Sequence, residues 1–143
     1  MSKSNSFENS LVALVLNGTL INGIARNDDT GALTALWLSL HTGDPTDSGN
    51  QGTLEPAYSA YTRKSVARTS TGFLVANGIG GLVANKDFPA STQTGVPITH
   101  FGLGLTSGST SGVLLYSGTV TPNINIANGV TPRLSTGTTI AEG

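Results

Sequence analysis

The chain has 143 residues, and only 10% of them are charged, seven basic against eight acidic, for a net charge of -1. That excludes the basic stripe of a nucleic-acid-binding domain and the polybasic patch that holds a protein to an anionic membrane. The absence of cysteine excludes disulfides, thiolate zinc sites and thiol nucleophiles.

Polarity comes instead from Ser, Thr, Asn and 19 Gly. Uncharged polar surface costs less to desolvate than charged surface, so such a chain suits close packing against neighbours. It is a poor design for a freely diffusing monomer, whose surface normally carries many charges. The length fits a single domain over 1–143 with a real core.

At the N-terminus, Asn5 or Ser6 is placed to cap a helix, with Glu8 in the first turn. Phe7, Leu11, Leu14 and Val15 follow at helical spacing, and Asn17-Gly18 ends the pattern. The prediction is a helix over about 6–17 after a disordered start at 1–5. The run Leu11–Leu16 is too short to span a bilayer. Glu8 and the lack of a clean cleavage site argue against a signal peptide. Thr19–Ala25 reads as a further helical turn or an irregular segment, and Asn27–Gly31 as a loop.

From residue 32 the texture is β. In Leu33–His41, the residues Leu36, Leu38 and Leu40 share one face, while Ala35, Trp37, Ser39 and His41 share the other. This predicts a central strand covered on both sides, ended by Pro45. Residues 43–57 form a long loop rich in Gly, Asp, Ser and Pro, a length usually tied to function or mobility. A strand is expected within Tyr58–Arg68, and further strands at 72–76, 82–85, 96–105, 112–121, 124–127 and 132–140. Asn77-Gly78, Gly108, Gly112, Pro122 and Asn128-Gly129 punctuate them. Many short strands with such turns predict an all-β, jelly-roll-like antiparallel β-sandwich at about 32–140, with a short N-terminal α-helix.

The residues offer little chemistry. His41 and His100, the only histidines, match no metal spacing, with or without Asp44. Asp44, Asp47 and Glu55 lack the calcium-loop pattern. The acids form no identifiable glycosidase pair, no Gly-x-Ser-x-Gly elbow occurs, and the glycine-rich stretches lack Gly-Lys-Ser/Thr. The expectation is no enzyme, no cofactor, no metal, and no direct nucleic-acid or membrane partner. Arg63, Lys64 and Arg68 form the only basic cluster. Because charge is scarce elsewhere, a contact to a neighbouring subunit is its favoured reading.

An ordered set of motifs carries a resemblance. It comprises the helix Phe7–Leu16, the strand end Leu38-Ser39-Leu40-His41-Thr42-Gly43-Asp44-Pro45, and Tyr61-Thr62-Arg63. Phe88-Pro89-Ala90, Thr99-His100-Phe101-Gly102-Leu103 and Val113-Leu114-Leu115-Tyr116-Ser117-Gly118 complete it. In this order the chain resembles small tailed-bacteriophage virion proteins labelled capsid decoration (cement) or tail fibre protein. The resemblance implies a structural role without catalytic residues. Its first implication is a cement protein on the outer surface of the capsid, binding the phage major capsid protein as a homo-oligomer, dimer rather than trimer. The alternative is a tail fibre or baseplate component, with host-glycan binding through Trp37 or Tyr58 as a variant. Candidate subunit contacts are Phe7, Leu11 and Leu14 on the helix, Asp44 and Asp47 on the loop, and Arg63, Lys64 and Arg68. The helix stripe serves equally well to close an end of the sandwich.

Overall fold

The computed structural model describes residues 4–21 and 32–141. The loop expected at Asn27–Gly31, most of the 19–25 segment and the first three residues lie outside the described residues. Within them the protein is all-β with one short N-terminal helix. The elements are α1 (Asn5–Asn17), β1 (Ala35–His41), β2 (Lys64–Ala67), β3 (Phe73–Ala76), β4 (Ile79–Leu82), β5 (Lys86–Asp87), β6 (Ile98–Gly104), β7 (Leu114–Ile124), β8 (Arg133–Leu134) and β9 (Thr139–Ala141). They fall into two compact units, each assembled from separate stretches of chain: 1–35, 66–85 and 134–143 form the first, 36–65 and 86–133 the second.

In the first unit α1 packs on the hairpin β3–β4. Ser4, rather than Asn5 or Ser6, caps the helix, its Oγ accepting from the Phe7 N–H at 3.3 Å. Gly18 closes it in the left-handed conformation at φ 65°, where a Cβ would be strained. The last turn holds no basic residue of its own. Arg68 supplies the cation instead: its Nε donates to the Val15 carbonyl and its Nη2 to the Leu14 carbonyl, both at 2.7 Å. Those carbonyls lie in the turn whose acceptors a helix leaves unpaired, at the negative end of its dipole.

The helix buries Val12, Ala13 and Leu16, not the expected stripe of Phe7, Leu11 and Leu14. Residues 11–16 are apolar on every side, so periodicity alone could not choose the inner face. Asn77 and Gly78 both have positive φ, 52° and 73°, the signature of a two-residue type I′ turn. The return strand therefore starts at Ile79, not at 82 as expected, and takes Gly80 and Gly81 into its ladder. Phe73 pairs with Leu82, Leu74 with Gly81, Val75 with Gly80, and β9 flanks β4 on its far side.

Gly80 has a steric reason. A Cβ there would lie 2.1 Å from Leu16 Cδ1 and 3.2 Å from Val12 Cγ1, and both side chains are fully buried. The helix sits against the strand backbone because nothing intervenes. Gly80→Ala is expected to destabilise the protein by about 1–3 kcal/mol, the usual cost of overfilling a packed core. Urea denaturation measures this, and an unchanged midpoint would contradict the packing.

The second unit carries the sheet ordered β2-β1-β6-β7, to which β2 brings Lys64 and Ser65 before the chain leaves the unit. β1 is the central strand the sequence implied: Leu36, Leu38 and Leu40 are buried on one face, Ser39 and His41 on the other. β1 and β6 run antiparallel, with Leu40 opposite Phe101 and His41 opposite His100. The strands expected at 112–121 and 124–127 are one, β7. Its partner positions jump from Thr119 opposite His100 to Ile124 opposite Ile98. Pro122 lies inside that irregularity, where its missing N–H costs no ladder bond. β5 pairs with β8, and Asp87 and Arg133 form an ion pair between them.

Candidate functional site

The expected long loop contains no strand or helix over 43–57, yet it is tied down at many points in the second unit. Asp44 Oδ1 accepts from the Thr46 N–H at 2.8 Å, the local turn its residue type favours. Gln51 is fully buried. Its Nε2 donates to the Trp37 carbonyl at 3.3 Å, and its Oε1 accepts from the Thr106 N–H at 2.9 Å. The Thr42 N–H donates to the Leu54 carbonyl at 2.8 Å. The loop is therefore displayed rigidly, with Asp44 and Asp47 exposed on it.

The strongest tie runs through Glu55. Arg63 meets its carboxylate side-on, Nε to Oε1 and Nη2 to Oε2, both at 2.8 Å. The Tyr61 hydroxyl donates to the same Oε1 at 2.8 Å and accepts from the Leu40 N–H at 2.9 Å. Arg63 also donates to the Thr106 carbonyl and Oγ1 and to the Ser109 carbonyl. All five guanidinium donors are used inside the chain, and the residue is only 6% exposed. In place of the neighbouring-subunit contact expected for it, Arg63 is engaged within its own chain, in the irregular stretch just before β2. Its hydrogen bond to Glu55 holds the guanidinium above its ordinary pKa. Burial, reinforced by the Glu55 charge, raises that of the Tyr61 phenol.

Tyr61 stacks on Phe88 with ring centroids 6.1 Å apart and meets Tyr58 edge-on at 5.6 Å. Tyr58 is buried and donates to the Pro89 carbonyl at 3.0 Å. With Trp37 half-buried, neither residue is an exposed platform for a sugar ring. A groove of about 240 Å³ runs beside the loop, lined by Thr42, Glu55, Tyr58, Gln93, Val96 and Ile126 among others.

His41 is fully buried, Nε2 at 2.9 Å from Ser39 Oγ and Nδ1 at 2.6 Å from the Thr53 carbonyl. Both ring nitrogens are occupied, so the ring has none left for a metal. Among the described residues no three His, Asp or Glu side chains cluster as metal ligands. Burial depresses the His41 pKa below 6.5. The unfolded chain thus binds a proton that the folded chain resists, and stability falls as the pH drops below about 6.5 toward the folded pKa. A melting series from pH 7.5 downward is expected to show this slope, and His41→Gln should flatten it while lowering stability at pH 7.5.

The remaining expected contacts are dispersed. Phe7 is exposed and Leu11 and Leu14 half-exposed on the outer side of the helix. Lys64 is half-buried. Arg68 is occupied in the first unit at the end of α1. Sequence reasoning does not reveal the Glu55 latch, in which Tyr61 and Arg63 bond the carboxylate directly and Phe88 joins only by stacking on Tyr61.

No curated protein matches the chain. The family model described as "Podophage GP4 fiber I protein gp80" matches residues 4–142, nearly the whole length. The chain therefore belongs to this family of phage virion fibre proteins.

Proposed function

We propose that the protein is a non-catalytic structural component of a fibre on a short-tailed phage, attached by adhesion between repeated copies and their neighbours. The family match over 4–142 carries this reading, and it favours the fibre over the outer capsid surface. Two features of the chain support it. No Lys, Arg, Asp or Glu occurs between Asp87 and Arg133, a stretch that includes β6 and β7. Identical copies can approach such surfaces without like-charge repulsion and at modest desolvation cost. Among the described residues, moreover, no buried side-chain donor or acceptor lacks a partner. A closed network of this kind holds a loop rigid, which suits display and adhesion.

The test is fractionation. Virions are stripped so that heads and tail–fibre assemblies separate, and the protein is quantified in each by mass spectrometry. It is expected with the tail–fibre fraction, in few copies relative to the major capsid protein. Recovery with heads, near parity with that protein, would overturn the proposal in favour of capsid decoration.

A further inference from the structure

An asparagine followed by glycine can react with its own backbone, because glycine leaves the next nitrogen unhindered. Asn17-Gly18, Asn77-Gly78 and Asn128-Gly129 lie in the described residues, and Asn22-Gly23 outside them. In each pair the glycine nitrogen is the nucleophile. It must give up its proton and swing toward the side-chain amide, so an N–H held by a firm acceptor resists the step.

The structure separates the three described pairs. The Gly18 N–H donates to the Ala13 carbonyl in the helix cap. The Asn17 amide, oriented as its two neighbouring carbonyls require, donates to Thr69 at 3.0 Å and Phe73 at 3.1 Å. The Gly129 N–H donates to the Ser91 carbonyl at 2.7 Å. At the third pair Asn77 is exposed. Among the described residues the only acceptor for the Gly78 N–H is a side chain, Asn9 Oδ1, at 3.3 Å.

Turn chemistry opens a path at this pair alone. Flipping the Asn77–Gly78 peptide converts the type I′ turn to type II′, and both types join two strands through two residues. Gly78 accepts φ of either sign. Ala76 and Ile79 therefore stay paired while the Gly78 nitrogen passes the Asn77 side chain.

We propose that Asn77 is a site of spontaneous deamidation, and that its conversion loosens the seat of α1 on the β3–β4 hairpin. The Gly78 nitrogen bonds to Asn77 Cγ, the bond from Cγ to Nδ2 breaks, and the Gly78 proton leaves with that nitrogen as ammonia. Water then opens the cyclic imide at either carbonyl, giving an aspartyl or an isoaspartyl residue. Both carry a new carboxylate. The isoaspartyl form also adds a carbon to the main chain, which a two-residue turn cannot absorb without shifting its strands. The turn lies over the first turn of α1: a Cβ on Gly78 would stand 3.1 Å from Glu8 Cβ and 3.6 Å from Glu8 Oε2. Added length and negative charge thus fall beside an acid, at the contact that seats the helix. A virion outside the cell has no synthesis to replace an altered chain, so a slow reaction of this kind accumulates.

The experiment ages the full chain for several weeks at mildly alkaline pH, one sample folded and one unfolded in guanidinium chloride. Peptide mapping by mass spectrometry, with an enzymatic assay for isoaspartate, reads each site. In the folded sample Asn77 is expected to convert about tenfold or more faster than Asn17 and Asn128, which react only through local opening. In the unfolded sample the three rates should converge. The chain converted at Asn77, separated by anion exchange, should melt below the unconverted chain. Asn77→Gly, which suits the same turn and cannot form the imide, should keep its melting point on ageing. Conversion of Asn17 or Asn128 as fast as Asn77 in the folded sample overturns the assignment of the site. A converted chain that melts as high as the unconverted one overturns the effect on α1, as does an equal loss in aged Asn77→Gly.

Discussion

Arg63→Met is expected to cost about 3–5 kcal/mol of folding stability, because it strands a carboxylate that the fold has largely removed from water. The Arg63 side chain is 3% exposed and that of Glu55 19%. The substitution removes both limbs of the ion pair, takes the Arg63 donor from the Thr106 carbonyl and leaves the Ser109 carbonyl with the Gly112 N–H alone. Arg63→Lys should recover little, since an ammonium cannot span a carboxylate side-on and reach two carbonyls as well. Glu55→Gln with Arg63→Met should cost less than the two single changes summed, because the pair fails as a unit. Urea denaturation of these four variants against wild type measures this, and amide exchange at Thr53–Glu55 should rise in step. A loss below about 1 kcal/mol for Arg63→Met would show that the latch does not hold the loop.

Phe73→Ala is expected to be comparably severe, about 3–5 kcal/mol, through lost burial and the cavity left behind. Phe73 is fully buried opposite Leu82, on the sheet face that packs against α1. Its neighbour Leu74 points the other way. Leu74→Ala should stay within about 0.5 kcal/mol in dilute solution, although both residues are large, apolar and adjacent in β3. Thermal and chemical melts of the two variants check the contrast. Equal losses would mean that the outer face is covered within the chain.

Parts of this fold were legible in the residues alone. The helix of α1, the central position of β1, the irregular loop over 43–57 and the all-β class all follow from local pattern and turn chemistry. Other parts were not. Nothing local says that Val12 and Leu16, rather than Phe7, Leu11 and Leu14, face inward, because that choice belongs to Gly80, more than sixty residues away. Asn77-Gly78 was visible as a turn, but the expected strand after it began at 82, three residues late, and left Gly80 and Gly81 outside β4. The division of strands among sheets depends on pairings distant in sequence.

The candidate site shows the same boundary. Asp44 and Asp47 are exposed on the loop, and His41 is a buried strand histidine with hydrogen-bond partners. Arg63 and Arg68 looked like surface cations because scarce charge suggests a partner. The structure uses them as internal fasteners, one for a loop and one for a helix end. Scarcity of charge could not say whether the partner was inside or outside the chain.

An asymmetric cryo-EM reconstruction of the intact virion tests the central claim most directly. The account predicts density for this helix-and-sheet fold in a fibre projecting from the tail. Density for it spread over the capsid lattice, with none in the fibres, would contradict it.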